Sequence, residues 1–560
     1  MDQAQIAREI SRGNGFATKF IRPVAYGQAQ AAGRRSVPLK DFADTYHSPL
    51  NPFLNAAIFK VIGADKPGAM AMGDKETVFP LDRVIVTVST LFFLMAIGVN
   101  YLLISRIFDA KIAGICAMLF CETFWGYSMS GLPQMLMLLL FSTAIYFVYR
   151  AVEATTDGKS AMFPALTAGV FFTLLALTHW MTVWIALGYI IYAAVAFRPR
   201  GIIGTSVLLM VIAPAIMVMI RNQGITDSPF GTAFLTLFNG LGANSESAVM
   251  RISDVSSSSL VIDGIIGNTF RTTLLQVTDI IPLLGGIIVA PLFFLALLHP
   301  FKRPAIANFR WAILLMWAFT AFGLAFFGIS KESLDPNQLH LLFAPIMSAY
   351  GLAFISILWS RLNIVSTNPI LGNVHYIVII GICALPMILT LPMRVTTGLR
   401  FSGTGGIPQW PPYYAPVLTS EKTGLKAWVS EKQITFADQP WAVAWYADRI
   451  SVWLPTTRAG FEKIETIAAG LETPVAGIVI SPVSHNSAPF SQVAAEYQDF
   501  ASLVFDGKII AISGGLTVLE RDTKLANVMK RFPYRQPLVG SEMIYYSDRP
   551  IRATDKGIAN

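Results

Sequence analysis

Few residues in this 560-residue chain are placed to do chemistry, and they lie in polar segments between long apolar runs. The opening, Asp2-Gln3-Ala4-Gln5-Ile6-Ala7-Arg8-Glu9-Ile10, puts a carboxylate at the head of an amphipathic helix. A Gly13-Asn14-Gly15 turn follows, and then His47-Ser48-Pro49-Leu50-Asn51-Pro52 ahead of an apolar stretch. A carboxylate so placed is either a solvated residue or a general base. His47 is either a turn residue that anchors the chain before Pro49 or a contact to a ligand. Glu122 sits inside an apolar run, where ionisation is costly, so it is neutral, paired or turned toward a cavity. Arg8, Arg221, Arg251, Arg271, Lys331 and His340 are the candidates for holding an anion. Of these, Lys331 and His340 flank the short loop KESLDPNQLH. His179-Trp180 ends an apolar run and reads as an anchor at the headgroup level, with ligand contact as its alternative.

The elements that must position these groups are membrane helices. Hydrophobic residues make up 54% of the chain and charged residues only 14%, against roughly 25% in a soluble domain. That balance excludes an ordinary water-soluble globule, and disorder, collagen and coiled coil fall with it. Apolar runs at Val84–Ile104, Ile112–Met129, Leu132–Tyr149, Phe163–Thr178, Thr182–Phe197, Ile202–Ile220, Ile280–Leu298, Trp311–Ile329, Leu341–Trp359 and Tyr376–Leu391 predict about ten transmembrane helices. The net charge of +8 is spread over short loops and forms no nucleic-acid stripe. Arg106, Lys111, Arg150, Lys159, Arg198, Arg200, Lys302, Arg303, Arg310 and Arg361 fall on alternate connections, which should therefore be cytoplasmic. Residues 1–81, a loop near 222–278 and the tail 394–560 are then extracytoplasmic, leaving 82–393 as the transmembrane domain. No spanning segment precedes residues 1–81 to carry them across, so an upstream helix is expected.

The tail changes character after SGTGGIPQWPPYYAP. WAVAWYAD, ISVWLP, VAGIVIS and KIIAIS read as strands, and FEKIETIA, FSQVAAEYQDFASL and KLANVMKRF as helices, giving a small α/β domain. No GxGxxG follows a strand, Gly514-Gly515 being too little, and no GxSxG surrounds a serine that would join His485 and Asp499 in a hydrolase triad. Cys116, Cys121 and Cys383 all lie in apolar segments and offer neither a disulfide framework nor a zinc site.

An acidic residue just outside the first helix, an amphipathic IAREI helix, a Gly turn and an H-x-P-L-x-P segment resemble the first external loop of GT-C glycosyltransferases. The likeness is greatest to bacterial lipid A aminoarabinose transferases and protein O-mannosyltransferases. It runs on through LPQMLMLLLFSTAIYFVYRAVE, ALTAGVFFTLLALTHW and DPNQLHLLFAPIMSAYGLAFI, covering most of residues 1–393. The resemblance implies that Asp2 matches the family's catalytic aspartate. That residue deprotonates an acceptor hydroxyl as the sugar leaves a polyprenyl phosphate, and one displacement inverts the anomeric centre. It also implies a carrier-phosphate contact near Lys331 and His340. The chain departs from the pattern at Gln3, where the family often has Glu, at Gln134, where a second acid is expected, and at Gln338, which aligns with a family arginine.

The expectation is thus a polytopic α-helical, GT-C-like membrane protein with a C-terminal extracytoplasmic α/β domain in a bacterial inner membrane. Its partners are a polyprenyl-phosphate-linked sugar, a glycan, lipid or protein acceptor, and the bilayer; nucleic acid is excluded. The residues imply no certain cofactor, and a divalent metal stays open. The rivals are an O-antigen ligase or polymerase, a transporter or flippase of lipid-linked saccharides, and a non-catalytic scaffold. No corresponding helix halves of the transporter kind are visible.

Overall fold

The structure is a computed structural model of the chain. It describes residues 2–33, 37–66, 71–72, 76, 78–233, 235, 246–253, 262–327, 337–362, 371–404, 415–420, 424–481, 484, 490–506, 525–538 and 543–550.

Three short helices, α1 (Asp2–Ser11), α2 (Pro23–Ala31) and α3 (Leu50–Val61), precede the membrane bundle. The bundle begins with α4 (Pro80–Ile107), α5 (Ala110–Ser128), α6 (Gln134–Thr156), α7 (Met162–Thr178), α8 (Val183–Ala196) and α9 (Ile202–Thr226). Local chemistry sets the boundaries. Pro80 opens α4 at a position that needs no amide donor, and Asp109 caps α5 by accepting from the Ile112 amide at 2.8 Å. Farther along lie α10 (Glu246–Met250), α11 (Ile262–Thr278), α12 (Ile280–Leu283), α13 (Leu292–Ala296), α14 (Pro304–Phe327), α15 (His340–Ser360) and α16 (Val374–Thr404).

Among the described residues six helices are long and apolar enough to cross a membrane: α4, α6, α9, α14, α15 and the Val374–Pro392 part of α16. Their outer faces carry exposed Leu91, Leu94, Met95, Leu209 and Met217, the surface expected where lipid is the solvent. Inside, Asn100 donates to Ser142 at 2.7 Å and ties α4 to α6. The chain is a polytopic α-helical membrane protein.

Nine of the ten apolar runs coincide with helices, and the run Ile280–Leu298 does not form one continuous span. It folds instead as α12, a turn and α13, because Gly285 and Gly286 both adopt φ +76° and Pro282 and Pro291 interrupt the amide ladder. The expected external loop near 222–278 likewise contains a 17-residue helix, α11, packed along α14.

The basic connections gather at one end of the bundle. Arg106 pairs with Glu153 at 2.8 Å, Lys111 donates to Asn373, and Arg310 donates to the His299 carbonyl at 2.6 Å. Helix alternation therefore puts α1 to α3 and the C-terminal domain at the opposite end.

Among the described residues that domain is built on a six-stranded sheet: β2 (Phe20–Ile21), β5 (Ile450–Trp453), β4 (Ile434–Ala437), β6 (Val475–Ile480), β8 (Ile544–Ser547) and β7 (Tyr534–Pro537), in that spatial order. The first four strands run parallel, while β8 and β7 are antiparallel to their neighbours. The edge strand β2 comes from the N-terminal segment, so the sheet is not confined to residues 394–560. A two-stranded ribbon of β1 (Ala17–Thr18) and β3 (Phe42–Ala43) lies beside it.

ISVWLP and VAGIVIS form strands β5 and β6, whereas WAVAWYAD does not form a strand. It is a helical turn at Pro440–Ala442 that widens into a π-helical turn at Val443–Ala447. Ala442 to Ala447 are all buried, Trp445 completely, so the aromatic alternation carries no strand signal. The KIIAIS strand, His485 and Gly514-Gly515 lie outside the described residues.

Candidate functional site

The residues at the head of α1 meet those just before α3. Asp2 stands in the first turn of α1, and its Oδ2 receives Nη2 of Arg22 at 2.9 Å. Nε2 of His47 lies 3.8 Å from the same oxygen. Arg22 follows β2 directly, and its Nη1 reaches Asp44 Oδ1 at 3.6 Å. Its guanidinium stacks over Phe20 at 4.3 Å and over Tyr46 at 4.1 Å.

Asp44 is the buried anchor of this group. Its Oδ2 accepts from the His47 amide at 2.8 Å and lies 3.1 Å from His47 Nδ1, which fixes the ring beside Asp2. Burial alone would raise the Asp44 carboxyl, but His47 and then Arg22 hold it well below the usual carboxylate range. The group is directional. The side chains of Arg22, Asp44 and His47 are only 6%, 3% and 8% exposed, while that of Asp2 is 27% exposed. A dry platform of a guanidinium, a carboxylate and an imidazole thus presents one open carboxylate, which can accept a proton from a hydroxyl brought to that face.

Sequence reading picked out Asp2 and His47 and missed Arg22 and Asp44. The i,i+3 spacing of Asp44 and His47 was the available signal. Nothing local marks Arg22, because its partner lies on the far side of two turns.

Several expected anion holders are spent on the fold. Arg8 is 3% exposed, donates to the Ala444 and Trp445 carbonyls at 2.7 and 2.8 Å, and pairs with Asp448 at 3.1 Å. It pins α1 to the C-terminal domain, which leaves no face for a ligand. Arg221 donates to the Asp44 and Phe16 carbonyls at 2.8 and 3.2 Å. Arg251 is fully buried, with bonds to the Leu454 and Glu496 carbonyls at 2.6 and 2.9 Å. His340 is buried at the head of α15, with Nε2 2.9 Å from Gln276 Oε1. Arg271 is exposed on α11, where it donates to Asn268 at 3.1 Å. Lys331 lies outside the described residues.

Glu122 stands on α5, half-buried, with its Oε2 shielded and lacking a hydrogen-bond partner. Gln134 and Gln338, two positions where the sequence departs from the GT-C pattern, both neighbour Tyr127. Tyr127 donates to Gln338, and Gln134 lines a narrow cleft with Tyr127, Phe124, Met135, Leu138, Leu341 and Leu342. Gln3 occupies the third such position and accepts from Asn51, fastening α1 to α3.

His179, at the C-terminal end of α7, is buried with Nδ1 unpartnered, and its ring stacks on Trp180. Burial, together with the nearby His47, pulls it down to about 4. Among the described residues no group of three or more His, Cys, Asp or Glu side chains is arranged to hold a metal ion.

The sequence matches no protein-family model and no curated protein. In structure the chain is similar to ArnT from Cupriavidus metallidurans bound to undecaprenyl phosphate, at 14% identity and a TM-score of 0.45, over 87% of this chain and 90% of that one. It is also similar to the Archaeoglobus fulgidus oligosaccharyltransferase in complex with zinc and sulfate, at 15% identity and a TM-score of 0.44, over 81% of this chain. The chain spans 61% of that protein's length. A third similar structure is the archaeal oligosaccharyltransferase AglB from Archaeoglobus fulgidus with an inhibitory peptide and a dolichol-phosphate, at 11% identity and a TM-score of 0.40, over 88% of this chain and 70% of that one.

Proposed function

We propose that this chain is a membrane glycosyltransferase of the GT-C type. It moves a hexosyl or pentosyl group from a polyprenyl-phosphate carrier to a glycan, lipid or protein acceptor on the extracytoplasmic face of a bacterial inner membrane. The orientation rests on the basic connections, which gather at the end of the bundle away from Asp2.

The observation that carries the reading is the directional cluster: buried Arg22, Asp44 and His47 hold up one partly open carboxylate, Asp2. In the reaction Asp2 accepts the proton of an acceptor hydroxyl while the oxygen attacks the anomeric carbon. The bond from that carbon to the carrier's phosphate oxygen breaks, and its electron pair leaves with the phosphate. Configuration inverts in this single displacement. Arg22 fixes the carboxylate's orientation, and the His47 ring lines the path of the transferred proton.

The test is sugar release from a panel of polyprenyl-phosphate sugars by the full chain in lipid nanodiscs, compared with Asp2→Asn. Turnover by the parent and its loss in the variant are expected. Equal turnover by both would move the base elsewhere. Absence of both turnover and donor binding across the panel would overturn the transferase class.

A further inference from the structure

One carboxylate of the C-terminal domain gathers the cations of the segment that bears the proposed base. After the π-helical turn, Asp448 takes a left-handed conformation, φ +54°, and its side chain points back at the N-terminal segment. It receives Nζ of Lys19 at 2.5 Å, Nη1 of Arg12 at 2.8 Å and Nη2 of Arg8 at 3.1 Å. Arg8 lies in the last turn of α1, the helix that begins at Asp2, and Arg12 directly follows that helix, its amide donating to the Arg8 carbonyl at 3.1 Å. Lys19 joins β1 to β2, and its carbonyl accepts from the Ser451 amide at 2.8 Å. Three residues after Lys19 comes Arg22, the partner of Asp2.

Both arms of the Asp2–Arg22 pair therefore converge on one point of the C-terminal domain. One arm is the helix bearing the carboxylate, and the other is the strand that leads into the guanidinium-bearing Arg22. Among the described residues Glu9, 3.5 Å from Arg12 and 3.6 Å from Lys19, shares the counter-charge. Arg8 is 3% exposed and Asp448 24%, so these are not free surface pairs of negligible worth. Removing the Asp448 charge leaves Arg8, Arg12 and Lys19 close together with the buried Glu9 carboxylate as their remaining counter-charge among the described residues. α1 would still be held by apolar packing of Ala4 and Ala7 in one cluster with Ala56 and Phe59 of α3, so it shifts without unfolding.

Resting on the reading of Asp2 as the base, we propose that Asp448 is a positioning residue. By gathering Arg8, Arg12 and Lys19 it sets Asp2 against Arg22 and makes the geometry of the base depend on how the C-terminal domain is seated. Burial would raise the Asp448 carboxyl, yet Arg8, Lys19 and Arg12 together hold it below the usual carboxylate range, as a centre of attraction requires.

The test uses the full chain in nanodiscs as wild type, Asp448→Asn and Asp448→Glu. Asparagine tolerates the left-handed turn, so it removes the charge and keeps the backbone. Two quantities are measured: amide hydrogen exchange, and kcat and KM for whichever polyprenyl-phosphate sugar the wild type turns over. For Asp448→Asn, exchange should rise roughly tenfold in residues 2–11 and 19–22 and stay unchanged in β4 and β6. The kcat should fall roughly tenfold at constant KM, with Asp448→Glu recovering most of it. Unchanged exchange in 2–11 overturns the proposal. So does an equal rise across the whole C-terminal sheet, or a change in KM alone. If the wild type turns over no donor, the base reading fails by itself, and the exchange pattern decides whether Asp448 holds Asp2 in place.

Discussion

The indole nitrogen of Trp445 donates to Asp82 at 2.7 Å, joining the C-terminal domain to the head of the first membrane helix. The Tyr446 hydroxyl takes the other carboxylate oxygen at 2.9 Å. Asp82 lies in the first turn of α4, where the helix dipole favours an anion. Asp82→Ala removes the carboxylate that both almost wholly buried aromatic residues donate to, at a cost on the order of 1–3 kcal/mol. Thermal unfolding should show a lowered Tm. The loss should be less than additive when Trp445→Phe is made in the same chain.

Arg22→Lys keeps the charge and discards the planar fork that spans Asp2 and Asp44 and stacks on Phe20 and Tyr46. Turnover of a carrier-linked sugar should drop roughly tenfold to a hundredfold while the Tm moves little. Steady-state kinetics on the purified variant checks this, and wild-type rates would place Arg22 outside the machinery.

A pH effect follows from Asp438. Burial lifts this carboxyl to about 6, even though Ser484, Ser481 and the Gln439 amide all donate to it. Its value in the unfolded chain is about 4, so the folded state binds the extra proton between those limits. Its contribution to stability is full below about pH 4, falls as the pH rises to about 6, and is flat above. Asp438→Asn should remove that slope, on the order of 3 kcal/mol from a shift of about two units. Tm curves of both proteins from acid to neutral pH, read as a difference, isolate it from the opposite slopes of Asp44 and Asp448, whose carboxyls are held low.

Gly351 tests the broken segment. A methyl built at this position of α15 overlaps the carbonyl oxygen of Val289, which sits between α12 and α13. Gly351→Ala should lose about 1–3 kcal/mol through forced displacement of backbone. At Gly381 on α16 the same methyl meets nothing within 4 Å, so Gly381→Ala should be neutral or gain up to about 1 kcal/mol. Comparing the Tm of the two variants in one detergent distinguishes tight packing from a general intolerance of alanine.

How much of this was legible depends on the range of the interaction. Apolar run length gave the membrane helices, and an amphipathic pattern gave α1, because those signals are local. Ile280–Leu298 was misread as a span although Pro282, Gly285, Gly286 and Pro291 were in plain view; overall hydrophobicity outweighed the breakers. At the site, Asp2 and His47 stood out by residue type and context. Arg22 did not, since its role comes from a strand of two residues that pairs with Ser451 and Val452. Arg8, read as an anion holder, is committed to Ala444 and Trp445, partners that no local pattern connects to α1.

That pairing also orders events during synthesis. Lys19 and its partner Asp448 are 429 residues apart. At ribosomal speed the interval between them is on the order of tens of seconds, during which the helices of the bundle are made. Phe20, Ile21 and Arg22 wait through that time without the strand they will border. The surroundings of Asp2 are therefore among the last parts of the molecule to be completed. A nascent chain halted before Ile450 would hold its membrane helices and still lack the wall on which Arg22 is set.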